Sequence, residues 1–273
     1  MPDVPFADVA LAARLEHVAA EDLATFAEAA QLLDAGSLAQ VMRVAGGIAL
    51  FAGAGSPINQ AAGLGFDGEV SRADVDALEE FFRAHGARPV VLASPLARPS
   101  LFHALSARGF RISAFENALV RALRAEPVPA PDPRVEVREA CTPTQRAAYA
   151  RTIVEGFAPV GRRPSAEEEQ LGRMVVARPR ATLLLAYVDG EVAGTGELTM
   201  RDGLAWLNGD TTLPPFRRRG VQQALQRARL TLAEEAGCDL AVTDATPGSA
   251  SQRNMERLGF RVAYTRVELT RGA

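Results

Sequence analysis

The sequence predicts an α/β fold with a mixed sheet, laid out twice along one chain of 273 residues. Three observations carry that prediction. After residue 134 the apolar spacing switches between strand and helix periods in the order β-α-α-β-β-β-α-β-α-β. The stretch Glu126-Pro127-Val128-Pro129-Ala130-Pro131-Asp132-Pro133 alternates proline with other residues, which makes a stiff, extended connector. The two halves also end alike. His85-Gly86-Ala87-Arg88-Pro89-Val90-Val91-Leu92 matches Ala236-Gly237-Cys238-Asp239-Leu240-Ala241-Val242 in character. Leu105-Ser106-Ala107-Arg108-Gly109-Phe110-Arg111-Ile112 likewise matches Met255-Glu256-Arg257-Leu258-Gly259-Phe260-Arg261-Val262. An offset of about 150 residues is too long for a solenoid and suits a duplicated domain. The expected domains are 1–126 and 134–273, joined by 127–133.

Each element has a local cause. Val135-Glu136-Val137-Arg138 starts a strand, and Thr142 is the N-cap of a helix to Phe157 with Pro143 at its first position. Ser165-Ala166-Glu167-Glu168 reads as a capping box opening a helix to Val176. Thr182 to Val188 and Glu191 to Met200 form a hairpin around Asp189-Gly190, and Asp202-Gly203 turns the chain into a strand from Leu204 to Thr212. A helix follows from Val221. Val221, Leu225, Ala228 and Leu232 share its apolar face, Gln222, Gln223, Gln226, Arg227 and Arg229 lie mostly elsewhere, and Gly237 ends it. Leu240 to Ala245 is a short buried strand. The turn Pro247-Gly248-Ser249 leads to a helix through Asn254 and Leu258, Gly259-Phe260 stops it, and Arg261 to Leu269 is the last strand. In the first half, Ser71-Arg72-Ala73-Asp74 satisfies a helix start with its own side chains.

Composition narrows the function classes. The net charge of −3 argues against a general nucleic-acid or anionic-membrane surface. Cys141 and Cys238 are far apart, and His17, His85 and His103 form no motif, so neither a disulfide framework nor a metal site is expected. Val44 to Ala54 is apolar but short and broken by glycine, so no membrane span is expected and the cytoplasm is the default location.

Chemistry concentrates in Thr211-Thr212-Leu213-Pro214-Pro215-Phe216-Arg217-Arg218-Arg219-Gly220-Val221-Gln222. It runs from strand end through a turn and an Arg/Gly loop into a helix. That order puts free backbone N–H groups and positive charge at a helix N-terminus, which suits a pyrophosphate. A solvated basic turn is the alternative for the triple arginine taken alone. The loop resembles the acetyl-CoA signature of GCN5-related N-acetyltransferases (GNAT), Gln/Arg-x-x-Gly-x-Gly/Ala with Pro three residues before its first Arg. The elements downstream follow the same family's order. The final small residue of the signature is replaced here by Gln222.

The resemblance implies two tandem acyl-CoA N-acyltransferase folds and acetyl transfer from a thioester to an amine. It implies that Arg217, Arg218, Arg219, Gly220, Val221 and Gln222 hold the pyrophosphate, and that Thr212 and Leu213 pair with the pantetheine arm and aim an N–H at the oxyanion. Ser251 and Asn254 on the penultimate helix complete the expected cofactor contacts. The position where some relatives carry a carboxylate base holds Trp206, a packing residue or pocket wall. Asp210 and Glu197 are the nearest candidate bases, each with a solvated or structural role as the alternative. Where many relatives have a proton-donating Tyr, this chain has Met255; Tyr264 is the candidate substitute, with cross-strand packing as its alternative. In the first half the corresponding loop is Gly65-Phe66-Asp67-Gly68-Glu69-Val70-Ser71, whose Asp67 and Glu69 would repel a pyrophosphate. That half is expected to be a degenerate copy.

The expected protein is an acetyl-CoA-dependent N-acetyltransferase acting on a small-molecule amine, with no metal, nucleic-acid or membrane partner. A homodimer is the assembly this reading allows. A non-catalytic acyl-CoA sensor or an interaction protein is the alternative.

Overall fold

The computed structural model describes residues 5–123, 134–159 and 161–271. The connector expected at 127–133 lies outside them. The chain divides into two compact units: an amino-terminal unit of Pro5–Leu119 with Asp244 onward, and a central unit of Val120–Thr243. This grouping differs from the division of the sequence into 1–126 and 134–273, because the last part of the chain goes with the first half.

In the amino-terminal unit, helix α1 (Val9–Leu33) is capped by the Asp8 carboxylate, which accepts from the Leu11 amide. Strands β1 (Gln40–Val44) and β2 (Gly47–Phe51) form a hairpin whose turn residues Ala45 and Gly46 both have positive φ, the geometry that matches strand twist. β3 (Gln60–Ala62) pairs antiparallel with β2 and meets β4 (Val90–Ala93) in parallel at Ala61↔Val91. Between them runs α2 (Arg72–Ala84), followed after β4 by α3 (Pro99–Ala107) and β5 (Phe110–Ala122). The chain returns to this unit through α7 (Ala250–Arg257) and β11 (Arg261–Arg271). β11 lies antiparallel to β4, from Val267↔Ala93 to Thr270↔Val90. Its Leu269 is buried with Phe51, Phe82, Val91, Leu101 and Phe110, and Val267 packs against the same cluster. That shared core is the physical reason why the last strand groups with the first half.

This unit also holds a charged cluster in which Arg266 and Glu16 are buried and Asp244 and Glu116 are half-buried. Arg266 donates to Glu16 at 2.6 Å and to Asp244 at 2.5 Å, and lies 3.6 Å from Glu116. The Tyr264 hydroxyl also donates to Glu16, at 2.7 Å. Burial and the nearby Asp244 push the Glu116 carboxyl from its ordinary 4.5 up to about 7, with Arg266 opposing and Glu16 adding to the rise.

The central unit starts with β6 (Glu136–Glu139), α4 (Pro143–Phe157) and α5 (Ala166–Ala177). Ser165 and Glu168 form the expected capping box, and the expected N-cap Thr142 proves to form one too, with Gln145. Antiparallel strands β7 (Thr182–Val188), β8 (Glu191–Arg201) and β9 (Leu204–Thr212) follow, turning at Asp189-Gly190 and Asp202-Gly203, all four with positive φ. A 3₁₀ turn (Pro214–Phe216) leads into α6 (Val221–Glu235), then β10 (Leu240–Ala245). Val221, Ala224 and Leu225 of α6 pack with Leu184, Ala186, Val188 and Ala193.

Two outcomes are expected. Fragments 1–126 and 134–273 made separately should lack the cooperative thermal unfolding of the full chain by circular dichroism, because the cut removes Leu269 and Val267 from the first core. Glu116→Gln should change the pH dependence of stability. A raised folded-state pKa contributes stability that is complete below the ordinary value and lost as pH rises through about 7. The variant should therefore unfold at higher urea than the parent at about pH 8 and converge with it towards about pH 5.

Candidate functional site

β9 pairs with β8 from Arg201↔Leu204 to Gly194↔Thr212, but its parallel register with β10 covers Leu204, Ala205 and Trp206 alone. Past that point Thr243 Oγ1 donates to the Leu207 carbonyl at 2.9 Å, and the later residues of β9 lie outside the register with β10. Amide directions on this edge follow from strand alternation. The Leu213 N–H donates to the Ala193 carbonyl at 2.9 Å and so faces β8. The amide of Thr212, its neighbour, has the opposite parity and faces the edge away from β8. This corrects one expectation: the Leu213 amide is spent within the sheet, whereas that of Thr212 points outward.

A bulge shapes the same strand. The β8–β9 register shifts by one residue between Thr195↔Thr211 and Glu197↔Asn208, at Gly209-Asp210, where Gly209 has φ +64°. Thr195 Oγ1 donates to the Gly209 carbonyl at 2.9 Å and lies 2.7 Å from Thr211 Oγ1. Gly194 is also required there, since a Cβ would come within 2.3 Å of the Thr211 carbonyl oxygen.

The Arg/Gly loop follows. Arg218 and Gly220 both have positive φ, and Gly220 is the N-cap of α6 with no side chain to cap it. Asp8, Ser71, Thr142, Ser165 and Ser249 each cap a helix of this chain with a side-chain oxygen. Among the described α-helices only α3 and α6 lack such a cap, so the positive dipole end of α6 meets no side-chain oxygen at its N-cap. Arg217 and Arg218 are exposed; Arg219 pairs with Asp189 at 2.6 Å across the surface.

The matching region of the amino-terminal unit is satisfied from within. Ser71 and Asp74 cap α2 reciprocally, and the Val70 amide donates to Ser100 Oγ at 2.9 Å. The Gly65 amide donates to the Ala45 carbonyl and the Gly65 carbonyl accepts from the Arg98 amide, both at 2.9 Å. Glu69 pairs with Arg98 at 3.2 Å.

Both candidate carboxylate bases have arginine partners. Glu197 accepts from Arg178 at 2.5 Å, and both side chains are buried. Asp210 pairs with Arg229, a side chain with 0% exposure. Arg229 also donates to the carbonyls of Asn208 at 2.9 Å and of Glu197 and Leu225 at 3.1 Å. Burial pushes the Asp210 carboxyl above its ordinary range, with Arg229 pulling it back. The sequence places Arg229 and Gln226 off the buried face of α6; the structure buries both completely. The reason is Gly196, where a Cβ would meet the Arg229 guanidinium at 2.9 Å. Two glycines inside one strand were the available signal, because a strand glycine marks a close approach.

Tyr264, Ser251, Asn254 and the buried Met255 belong to the amino-terminal unit, and the loop belongs to the central one. Tyr264 is committed to Glu16, and burial raises its pKa far above that of a free phenol. That makes it a fixed donor within its own unit. Trp206 is buried, as a packing residue is expected to be. The residue that sequence reasoning missed is Tyr149 on α4, whose buried hydroxyl lies against the bulge at Gly209. Nothing in its helical spacing separates it from an ordinary core aromatic.

Arg229→Met should cost about 3–5 kcal/mol in urea unfolding, because it leaves Asp210 buried without its counter-charge. Adding Asp210→Asn to that variant should recover part of the loss.

The comparisons with known proteins can be set beside this geometry. Residues 147–260 match the acetyltransferase (GNAT) family, a span covering α4 to the end of α7. A GCN5-related N-acetyltransferase from Kribbella flavida is 19% identical with a TM-score of 0.67, covering 94% of this chain and 96% of that one. A tandem GNAT protein from the clavulanic acid biosynthesis pathway is 18% identical, with a TM-score of 0.59 over 92% and 94%. A GCN5-related N-acetyltransferase from Sphaerobacter thermophilus, 18% identical, has a TM-score of 0.58 over 85% and 75%. No curated protein matches the sequence. Residues 147–260 therefore resemble a GNAT acetyltransferase domain, and the chain shares its fold with GNAT proteins, a tandem one among them.

Proposed function

We propose that this N-acetyltransferase binds acetyl-CoA in its central unit and passes the acetyl group to the amine of a small metabolite by direct attack. The observation that carries this reading is the uncapped start of α6, set behind an arginine loop and the outward-facing edge of β9. Backbone N–H groups at the helix start, with Arg217 and Arg218 beside them, suit the pyrophosphate. The outward amide of Thr212 suits the pantetheine arm. Bound there, acetyl-CoA supplies an activated acyl group; the chain's part is to hold it, orient it and stabilise charge on its oxygen. In the amino-terminal unit the corresponding amides are satisfied internally, which supports a single acyl-CoA site.

The acceptor amine must lose a proton. Asp210, with a side chain 15% exposed, is better placed than the closed Glu197 to pass it to water. A second reading is favoured by the arginine pairing of both carboxylates and by Met255 at the position of the family's tyrosine: a sensor that holds acyl-CoA without processing an acceptor. Acceptor-dependent release of CoA separates the two readings. Among the described residues no helix is long and apolar enough to cross a membrane, which agrees with the cytoplasmic location proposed here. The homodimer expected as an option is tested by sedimentation of the full chain.

Titration of acetyl-CoA by calorimetry should find one site per full-length chain. Gly220→Glu, which puts a negative side chain at the helix start and at a position with φ +82°, should abolish binding while the far-ultraviolet spectrum is retained. Unchanged affinity in that variant would reject the loop as the phosphate site.

A further inference from the structure

The chain has three tyrosines, and one stands apart. Tyr264 donates to Glu16, and the Tyr187 ring lies under the Arg138 guanidinium. Tyr149 is completely buried, and its hydroxyl has no hydrogen-bond partner. Buried phenols are ordinarily bonded, and leaving one unsatisfied costs on the order of 1–3 kcal/mol. A fold that keeps this hydroxyl gains by replacing it with phenylalanine, unless the group has work elsewhere.

Its position says what that work is. A Cβ added at Gly209 would lie 3.0 Å from the Tyr149 oxygen, 3.2 Å from Glu197 Cβ and 3.3 Å from Ile153 Cδ1. The phenol oxygen therefore lies over the bulge of β9, with only the bare glycine backbone beneath it. The two nearby carboxylates are each engaged by a guanidinium, Glu197 by Arg178 and Asp210 by Arg229. Burial, reinforced by Glu197, holds the phenol's pKa well above that of a free tyrosine, so the group is a neutral donor at any working pH.

We propose that Tyr149 is a catalytic hydrogen-bond donor: its O–H meets the acyl oxygen of a thioester bound at the β9 bulge. This rests on the acyl-CoA reading above. In the step it serves, the amine lone pair forms a C–N bond with the thioester carbon while the carbonyl π pair moves onto oxygen. Tyr149 stabilises that charge and does not give up its proton. The pair then returns, the C–S bond breaks, and CoA leaves as a thiolate. The ammonium proton passes to solvent and the thiolate takes one up. The donor enters from α4 in the first half of the central unit, whereas the family's tyrosine position, Met255 here, belongs to α7 and concerns the departing thiolate.

The test compares the full-length chain with Tyr149→Phe, using acetyl-CoA labelled with carbon-13 at the carbonyl. Three quantities are measured: affinity by calorimetry, the labelled carbonyl stretch by isotope-edited infrared spectroscopy, and CoA release to hydroxylamine, a small nucleophile that needs no acceptor pocket. The expected result is an affinity within about twofold of the parent, a bound carbonyl band at higher frequency, and release slowed about 10–1,000-fold, with the urea midpoint equal or higher. An unmoved band with unchanged release would overturn the proposal and leave Tyr149 a packing residue. Failure of the parent to bind acetyl-CoA would overturn the acyl-CoA reading, and this inference with it. The two failures are distinct, because in the first the parent still binds.

Discussion

The buried guanidinium of Arg229 is the interaction on which the central unit turns. It ties α6 to β8 and β9 at once, donating to a carbonyl of its own helix, to carbonyls of both strands and to the Asp210 carboxylate. A charge with no exposure is tolerated only when its donors are nearly all used and a counter-charge is near. Here the bulge at Gly209-Asp210 brings the counter-charge, and Gly196 gives the room. The start of α6, the arginine loop and the outward edge of β9 are consequently held in one rigid arrangement.

The two units differ at the helix start that follows the third strand of each hairpin-led sheet segment: α2 is capped and α6 is not. In the amino-terminal unit a serine and an aspartate close the start of α2, and loop amides bond to neighbouring backbone and to Ser100. In the central unit a glycine with positive φ stands at the same place in the order of elements and offers no oxygen. A few side chains at a helix N-terminus thus decide whether its dipole is satisfied from within or from outside. The rest of each unit keeps its strand-helix-strand order.

Each unit also buries an arginine among carboxylates, to different ends. Arg266 links α1, β10 and β11 through Glu16 and Asp244, with Tyr264 joining at Glu16, and so fastens the last strand to the first helix. Arg229 and Arg178 lie on either side of the β9 bulge and engage the carboxylates that a base would need. The first cluster holds a fold together, and the second shapes a site.

Much of the local structure was legible in the sequence. Thr142, Ser165 and Ser71 cap the helices assigned to them, Asp189-Gly190 and Asp202-Gly203 make the expected turns, and β9 and β10 have the expected bounds, because each is decided by a few neighbouring residues. The arginine loop and its helix start were legible for the same reason. Side-chain partners across elements were not. Periodicity places Arg229 and Gln226 outside the buried face and cannot see that Gly196 opens space for a guanidinium. It does not report that the Leu213 amide is used by Ala193, that Tyr264 is held by a helix 248 residues away, or that the phenol of Tyr149 lies over a bulge. Nor does it say that the final strand shares a core with the first half. The sequence by itself determined the order of elements and the turns and caps that bound them, all set by short-range sterics and hydrogen bonding. Tertiary structure decided which charges are paired and which strand completes which core, since burial and long-range contact exist only once the elements have packed.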